Sequence, residues 1–184
     1  QSKLSTSSSG AKHSSTERTF SKAKLLTLLK GLKDFIQSLQ PNKDQTVWDH
    51  YYNETILSQH YLNEKKKLVS SYLQTIPFNS LLDLGANEGQ FSTLYQNTDK
   101  QIIALDEDRN CIEKLYRHCR QQQIKNILPL VCDLTAPSPC IGWNLDERPS
   151  IFQRINADVT LALALVHHLA IANNIPLEKI ISFL

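Results

Sequence analysis

The run from Leu81 to Phe91, Leu-Leu-Asp-Leu-Gly-Ala-Asn-Glu-Gly-Gln-Phe, constrains the fold more than any other part of the chain. Its apolar start reads as a buried strand, its glycines as a tight turn, and its end as a helix opening near Glu88. Gly85 and Gly89 are two of only five glycines in 184 residues, and a side chain at either would hold a ligand off the backbone. A helix opening there would offer free N–H groups to polar ligand atoms. Asp83, at the strand's end, would accept hydrogen bonds from a cationic or hydroxylated ligand.

The turn excludes two common nucleotide motifs. A dinucleotide fingerprint, G-x-G-x-x-G, would need glycines where this chain has Gly85, Asn87 and Gln90, so it fails at two of three positions. A Walker A loop needs Gly-Lys-Ser/Thr after the turn, and none follows. Further strands supply positive evidence. Gln101–Asp106 is an apolar run ending in an acid 23 residues after Asp83, where a carboxylate can accept both hydroxyls of a ribose. Residues 127–132 form a third run, followed by Asp133. Residues 158–166 are almost wholly apolar, read as a central strand buried on both faces, and lead into His167 and His168. Ligands of open α/β sheets sit beyond the carboxyl ends of the strands, so Asp83, Asp106 and Asp133 should converge on one crevice.

The pattern Asp83-x-Gly85-x-x-x-Gly89 resembles motif I of the class I S-adenosylmethionine-dependent methyltransferases. Asn87 stands where that family usually has its middle glycine, and Asn is the non-glycine residue most tolerant of positive φ. The resemblance implies a Rossmann-like α/β sheet and S-adenosylmethionine as cofactor. It implies that Asp83 faces the methionine end, Asp106 the ribose and Asp133 the adenine amino group, with Gly85, Asn87, Gly89 and Leu134 beside them. It puts His167 and His168 at the motif IV position, next to the methyl group in transit. There an imidazole would act as general base or orient the acceptor; the structural alternative is a helix cap or a hydrogen bond to a backbone carbonyl. The segments Leu134 to Trp143, Glu147 to Ser150 with Arg154, Ala162 to Ile171 and Asn174 to Leu177 narrow this further. Together they resemble the host-specific nodulation protein-like (NoeA-like) bacterial methyltransferases, over roughly Trp48 to the C-terminus.

The proline-rich loop after the third strand offers Trp143 as an apolar wall for a substrate pocket. Arg148 and Arg154 would hold an anionic group or pair with Glu147 and Asp146. A class I sheet runs in the order 3-2-1-4-5-7-6. Only its first four strands are evident here, so the C-terminal strands are expected to be missing.

Upstream, residues 1–19 are Ser-rich with few large apolar side chains and are expected to be a disordered tail. Leu25, Leu28, Leu29, Leu32, Phe35, Ile36 and Leu39 recur at helical spacing before Pro41. Two more helices are expected at about 44–59 and 62–76, making residues 20–77 a helical extension or lid and 78–184 the cofactor-binding domain. Trp48, Tyr51, Tyr52 and Tyr61 enrich this prelude in aromatics; they either join helices to the sheet or, for Tyr52 and Tyr61, form part of a lid.

Composition removes other classes. No run approaches a membrane span, so no membrane partner is expected. Residues 1–80 carry 11 Lys and Arg against 6 acids, and residues 81–184 carry 9 against 12. Lys65, Lys66 and Lys67 supply much of the first excess and read as a solvated helix face, so a nucleic-acid partner is not expected. Cys111, Cys119, Cys132 and Cys140 show no zinc-type spacing, no metal is expected, and free thiols fit a cytoplasmic location. Two functions remain: a methyltransferase with an acceptor and oligomeric state the sequence leaves open, or a catalytically silent methyltransferase-like binding module.

Overall fold

A computed structural model describes residues 21–39 and 59–184 of the chain, which divides into two compact units, Gln1–Asn42 and Lys43–Leu184. The expected tail at 1–19, the helix expected at about 44–59 and the residues Trp48, Tyr51 and Tyr52 lie outside the described residues.

In the first unit one helix is described, α1 (Lys22–Ser38). Ser21 caps it, accepting from the Lys24 amide, and one of the otherwise orphan first-turn N–H groups is thereby satisfied.

The second unit begins its described part with α2 (Gln59–Gln74), followed by β1 (Ser80–Leu84), β2 (Gln101–Asp106), α3 (Arg109–Gln121), β3 (Ile127–Val131), α4 (Ile151–Arg154), β4 (Val159–Leu161) and α5 (Leu177–Phe183). The four strands form one parallel sheet in the order β3-β2-β1-β4. Alternation along β1 and β2 explains why both read as nearly continuous apolar runs. Leu81, Ile102 and Ala104 face a core shared with Leu62, Val69 and Leu73 of α2 and Leu115 and Cys119 of α3. Leu82, Leu84 and Leu105 face the opposite core with Cys132 and Ile151. A parallel strand covered on both faces has no polar side to show. Pro129 lies within β3, an edge strand of this sheet, where a missing N–H costs no ladder bond.

Two expectations are corrected. No α-helix opens at Glu88: residues 87–91 are turn, followed by a 3-10 helix at Ser92–Tyr95. The fourth strand is also much shorter than residues 158–166. β4 ends at Leu161 because the chain turns through Leu163, Ala164 and Leu165, with Ala164 at φ 57°. Thr160 is exposed, so the strand is not buried on both faces. The bend sends Leu163 into one core and Leu165 into the other.

Candidate functional site

The carboxyl ends of β1 and β2 are joined by a dense set of hydrogen bonds. Gly85 N and Ala86 N both donate to Leu105 O, each at 2.9 Å. Asn87 N donates to Asp106 Oδ2 at 2.7 Å, Glu88 N to Asn87 Oδ1 at 2.8 Å, and Gly89 N to Ala86 O at 2.8 Å. The turn's amides are therefore engaged internally, and the free N–H groups expected for a ligand are not on offer. Asn87 adopts φ 50°, the left-handed region its side chain tolerates.

The two glycines have different reasons. Gly85, at φ 73°, lines a cavity of about 120 Å³, and a Cβ there would touch Leu165 Cδ1 at 3.4 Å. Gly89, at φ 76°, faces the core, where a Cβ would meet Leu115 Cδ1 at 2.5 Å. Its constraint is close packing of the turn on α3, a correction to the expectation that it spares room for a ligand. Glu88 reinforces that contact through an ion pair with Lys114 at 2.8 Å. From the other side Lys65 of α2 stands 5.1 Å from the Phe91 ring centroid, and Lys66 donates to Gln90 Oε1 at 2.6 Å.

The cavity lies at the carboxyl edge of the sheet. Its lining includes Gly85, Asn87, Asp106, Glu107, Asp133 and Leu134, and, from the segment after β4, Ala164, Leu165, His168 and Asn173. The structure thus brings together Gly85, Asn87, Asp106, Asp133, Leu134 and His168 of the residues expected from sequence. Asp106 accepts from Asn87 N and, at 2.8 Å, from Asp108 N; burial raises its pKa above the ordinary carboxylate value. Glu107 is raised too, first by burial and then by the neighbouring charge of Asp133. Asp133 is exposed, and its pKa is lowered by the Thr135 hydroxyl, which donates to Oδ1 at 2.7 Å. Among the described residues no Lys or Arg lines this cavity, and three carboxylates, Asp106, Glu107 and Asp133, do.

Asp83 is not part of the lining. It is 1% exposed, accepts from Ser92 Oγ at 2.6 Å, and burial pushes its pKa up to about 6. Its bond to Ser92 ties the start of the 3-10 helix to β1. His167 is exposed and outside the lining, its ring centroid 4.0 Å from that of His168. The pKa of His168 is lowered by burial and then by His167, which favours the neutral imidazole.

Trp143 also stays outside, 86% exposed on a loop closed by an isolated antiparallel bridge between Ile141 and Arg148. Arg148 donates to Ser138 Oγ at 3.0 Å; among the described residues no ion pair joins it to Glu147 or Asp146. Tyr61 is half exposed and away from the lining. Sequence reasoning missed Glu107, Cys132, Thr135 and Asn173. Glu107 directly follows Asp106, Cys132 precedes Asp133 and Thr135 follows Leu134, so the neighbours of the expected residues carried the signal for these three.

Parallel strands ordered β3-β2-β1-β4, a glycine turn after β1 and an acid ending β2 decide the architecture. The chain has a Rossmann-like α/β fold. No family model matches the chain. Over 140 residues it is 34% identical to nodulation protein NoeA of Rhizobium meliloti (strain 1021), a match covering 76% of this chain and 29% of NoeA. The chain therefore spans less than a third of that relative's length. Solved structures that overlap it include the N-terminal domain of EvdMO1 with SAH bound, 16% identical with a TM-score of 0.47, over 76% of this chain and 56% of that one. Coclaurine N-methyltransferase bound to N-methylheliamine and SAH overlaps over 65% of this chain and 42% of its own, at 12% identity and a TM-score of 0.41. Among the described residues of this chain, no helix is long and apolar enough to cross a membrane, and no His, Cys, Asp and Glu side chains group as a metal site.

Proposed function

We propose that this chain binds S-adenosylmethionine in the cavity at the carboxyl edge of its sheet and serves methyl transfer to an acceptor held near His168. The observation that carries this reading is the chemistry of the lining: among the described residues three carboxylates and no cation, around a glycine turn whose amides are already engaged. Such a site suits a ligand rich in donors, with ribose hydroxyls, amino groups and a sulfonium charge. A pyrophosphate would instead call for free N–H groups or basic side chains. When bound, the cofactor supplies an electrophilic methyl group.

In this reading Asp106 accepts from the ribose hydroxyls, Asp133 and Leu134 border the adenine, and Gly85 and Asn87 let the adenosyl moiety approach the backbone. Asp83 and Gly89 hold the turn in shape from behind. His168 takes the acceptor's proton or orients its lone pair. Its preference for the neutral form suits a base at neutral pH.

Asp106→Ala tests the assignment. It should weaken S-adenosylhomocysteine binding by roughly 1.5–3 kcal/mol, the range for hydrogen bonds to a charged group. Because Asn87 N and Asp108 N lose their acceptor, thermal stability should fall as well. A folded variant with parental affinity would remove Asp106 from the site.

A further inference from the structure

Helix α1 presents an apolar face with a particular charge frame. At about 100° per residue, Leu25, Leu28, Leu29, Leu32, Phe35 and Ile36 gather within one third of the helix circumference. All six are exposed, between 45% and 65%, and no residue of α1 is buried. Lys24 borders one edge of this face, and Lys22 and Lys33 border the other. The helix carries four lysines against the single acid Asp34, and residues 1–39 carry seven Lys and Arg against two acids.

Two occupants would cover such a face, and the charges choose between them. In a pair of like helices the flanking lysines would meet lysines, a repulsion that coiled coils avoid by placing opposite charges there. The apolar arc is also wider than the narrow seam of a coiled coil. An anionic bilayer surface fits both features. Leu, Ile and Phe sink to the level of the acyl chains while boundary lysines extend their stems along the apolar face and their ammonium groups to the lipid phosphates.

We infer that α1 is an interfacial helix that lies on anionic lipid and brings this chain to a membrane surface. The inference is independent of the methyl-transfer reading. It also revises the expectation of no membrane partner, which rested on spanning segments alone: a helix of this length lies on a bilayer without crossing it.

Co-sedimentation of the full 184-residue chain with vesicles tests it. The chain should pellet with vesicles of equal phosphatidylcholine and phosphatidylglycerol, remain in solution with phosphatidylcholine alone, and be released by high salt. Each of Lys22→Gln, Lys24→Gln and Lys33→Gln should weaken binding roughly fivefold, the worth of one basic residue near an anionic surface. Leu32→Glu with Ile36→Glu should abolish it. Because helicity of the altered segment could be lost, Leu32→Ala with Ile36→Ala, which keeps helix propensity, should weaken binding as well. Equal binding to both vesicle types, no binding to either, or a self-association in ultracentrifugation that the Glu pair abolishes would overturn the inference.

Discussion

Gly89→Ala should destabilise the sheet unit far more than a surface glycine replacement would. The glycine sits at φ 76°, and a methyl group there would lie 2.5 Å from Leu115 Cδ1 and 2.7 Å from Leu115 Cδ2. Leu115 is 1% exposed within the core formed by α2, α3 and the sheet, so it can yield only by repacking its neighbours. The left-handed backbone costs an L-residue about 1–2 kcal/mol. Forcing an extra methyl into a packed core costs about 1–3 kcal/mol, so the expected loss is roughly 2–5 kcal/mol. Urea unfolding of the parent, Gly89→Ala, Leu115→Ala and the double variant measures it. Leu115→Ala alone should cost about 2–5 kcal/mol through its cavity. In the double variant the alanine methyl enters space that the leucine has vacated, so the two losses should fall short of additivity by about 1–3 kcal/mol. A loss under about 1 kcal/mol for Gly89→Ala, or strict additivity, would refute the packing role.

Two other predictions use titratable groups. Asp83 is raised from 3.8 to about 6 by burial, so the native state binds its proton more tightly than the unfolded chain. The group's contribution to stability is then complete below pH 4 and is lost as pH rises through 6, a change of roughly 3 kcal/mol at 1.36 kcal/mol per unit. Asp83→Asn should flatten that part of the stability profile in urea unfolding between pH 4 and 7.5, and an unaltered slope would contradict the assignment. His168→Ala should lower single-turnover methyl transfer ~10²–10⁴-fold, the usual worth of a general base, with little effect on S-adenosylhomocysteine affinity, whereas His167→Ala should leave the rate nearly intact. Since the pKa of His168 is lowered from 6.5, the acid limb of the rate profile should lie below that value; equal rates for parent and His168→Ala would retire the role.

The sheet was legible because β1, β2 and β3 are short apolar runs with acids at or just beyond their carboxyl ends, although β3 leaves Leu128 and Val131 half exposed. Asp106 and Asp133 were found by that logic. Asp83 shares the pattern and the sheet face but sits deeper: it pairs with Ala104, two residues short of Asp106, and is buried against Ser92. β4 was over-extended for a related reason. Apolar periodicity does not record a positive φ at an alanine, and the turn at Ala164 rests on tertiary contacts of Leu163 and Leu165. The missing helix after the glycine turn has a local cause as well. The turn closes its amides on Leu105 O, Asp106 and itself, leaving a short 3-10 segment before Gln96. For Trp143, size and apolarity suggested a pocket wall, but the bridge between Ile141 and Arg148 holds the loop tip in solvent.

Calorimetric titration of this chain with S-adenosylhomocysteine tests the central claim most directly. The account predicts saturable one-to-one binding, with NAD neither binding nor competing, because the cavity offers carboxylates to donors and nothing to a pyrophosphate. A folded chain that takes up no S-adenosylhomocysteine, or one in which NAD displaces it, would contradict the account.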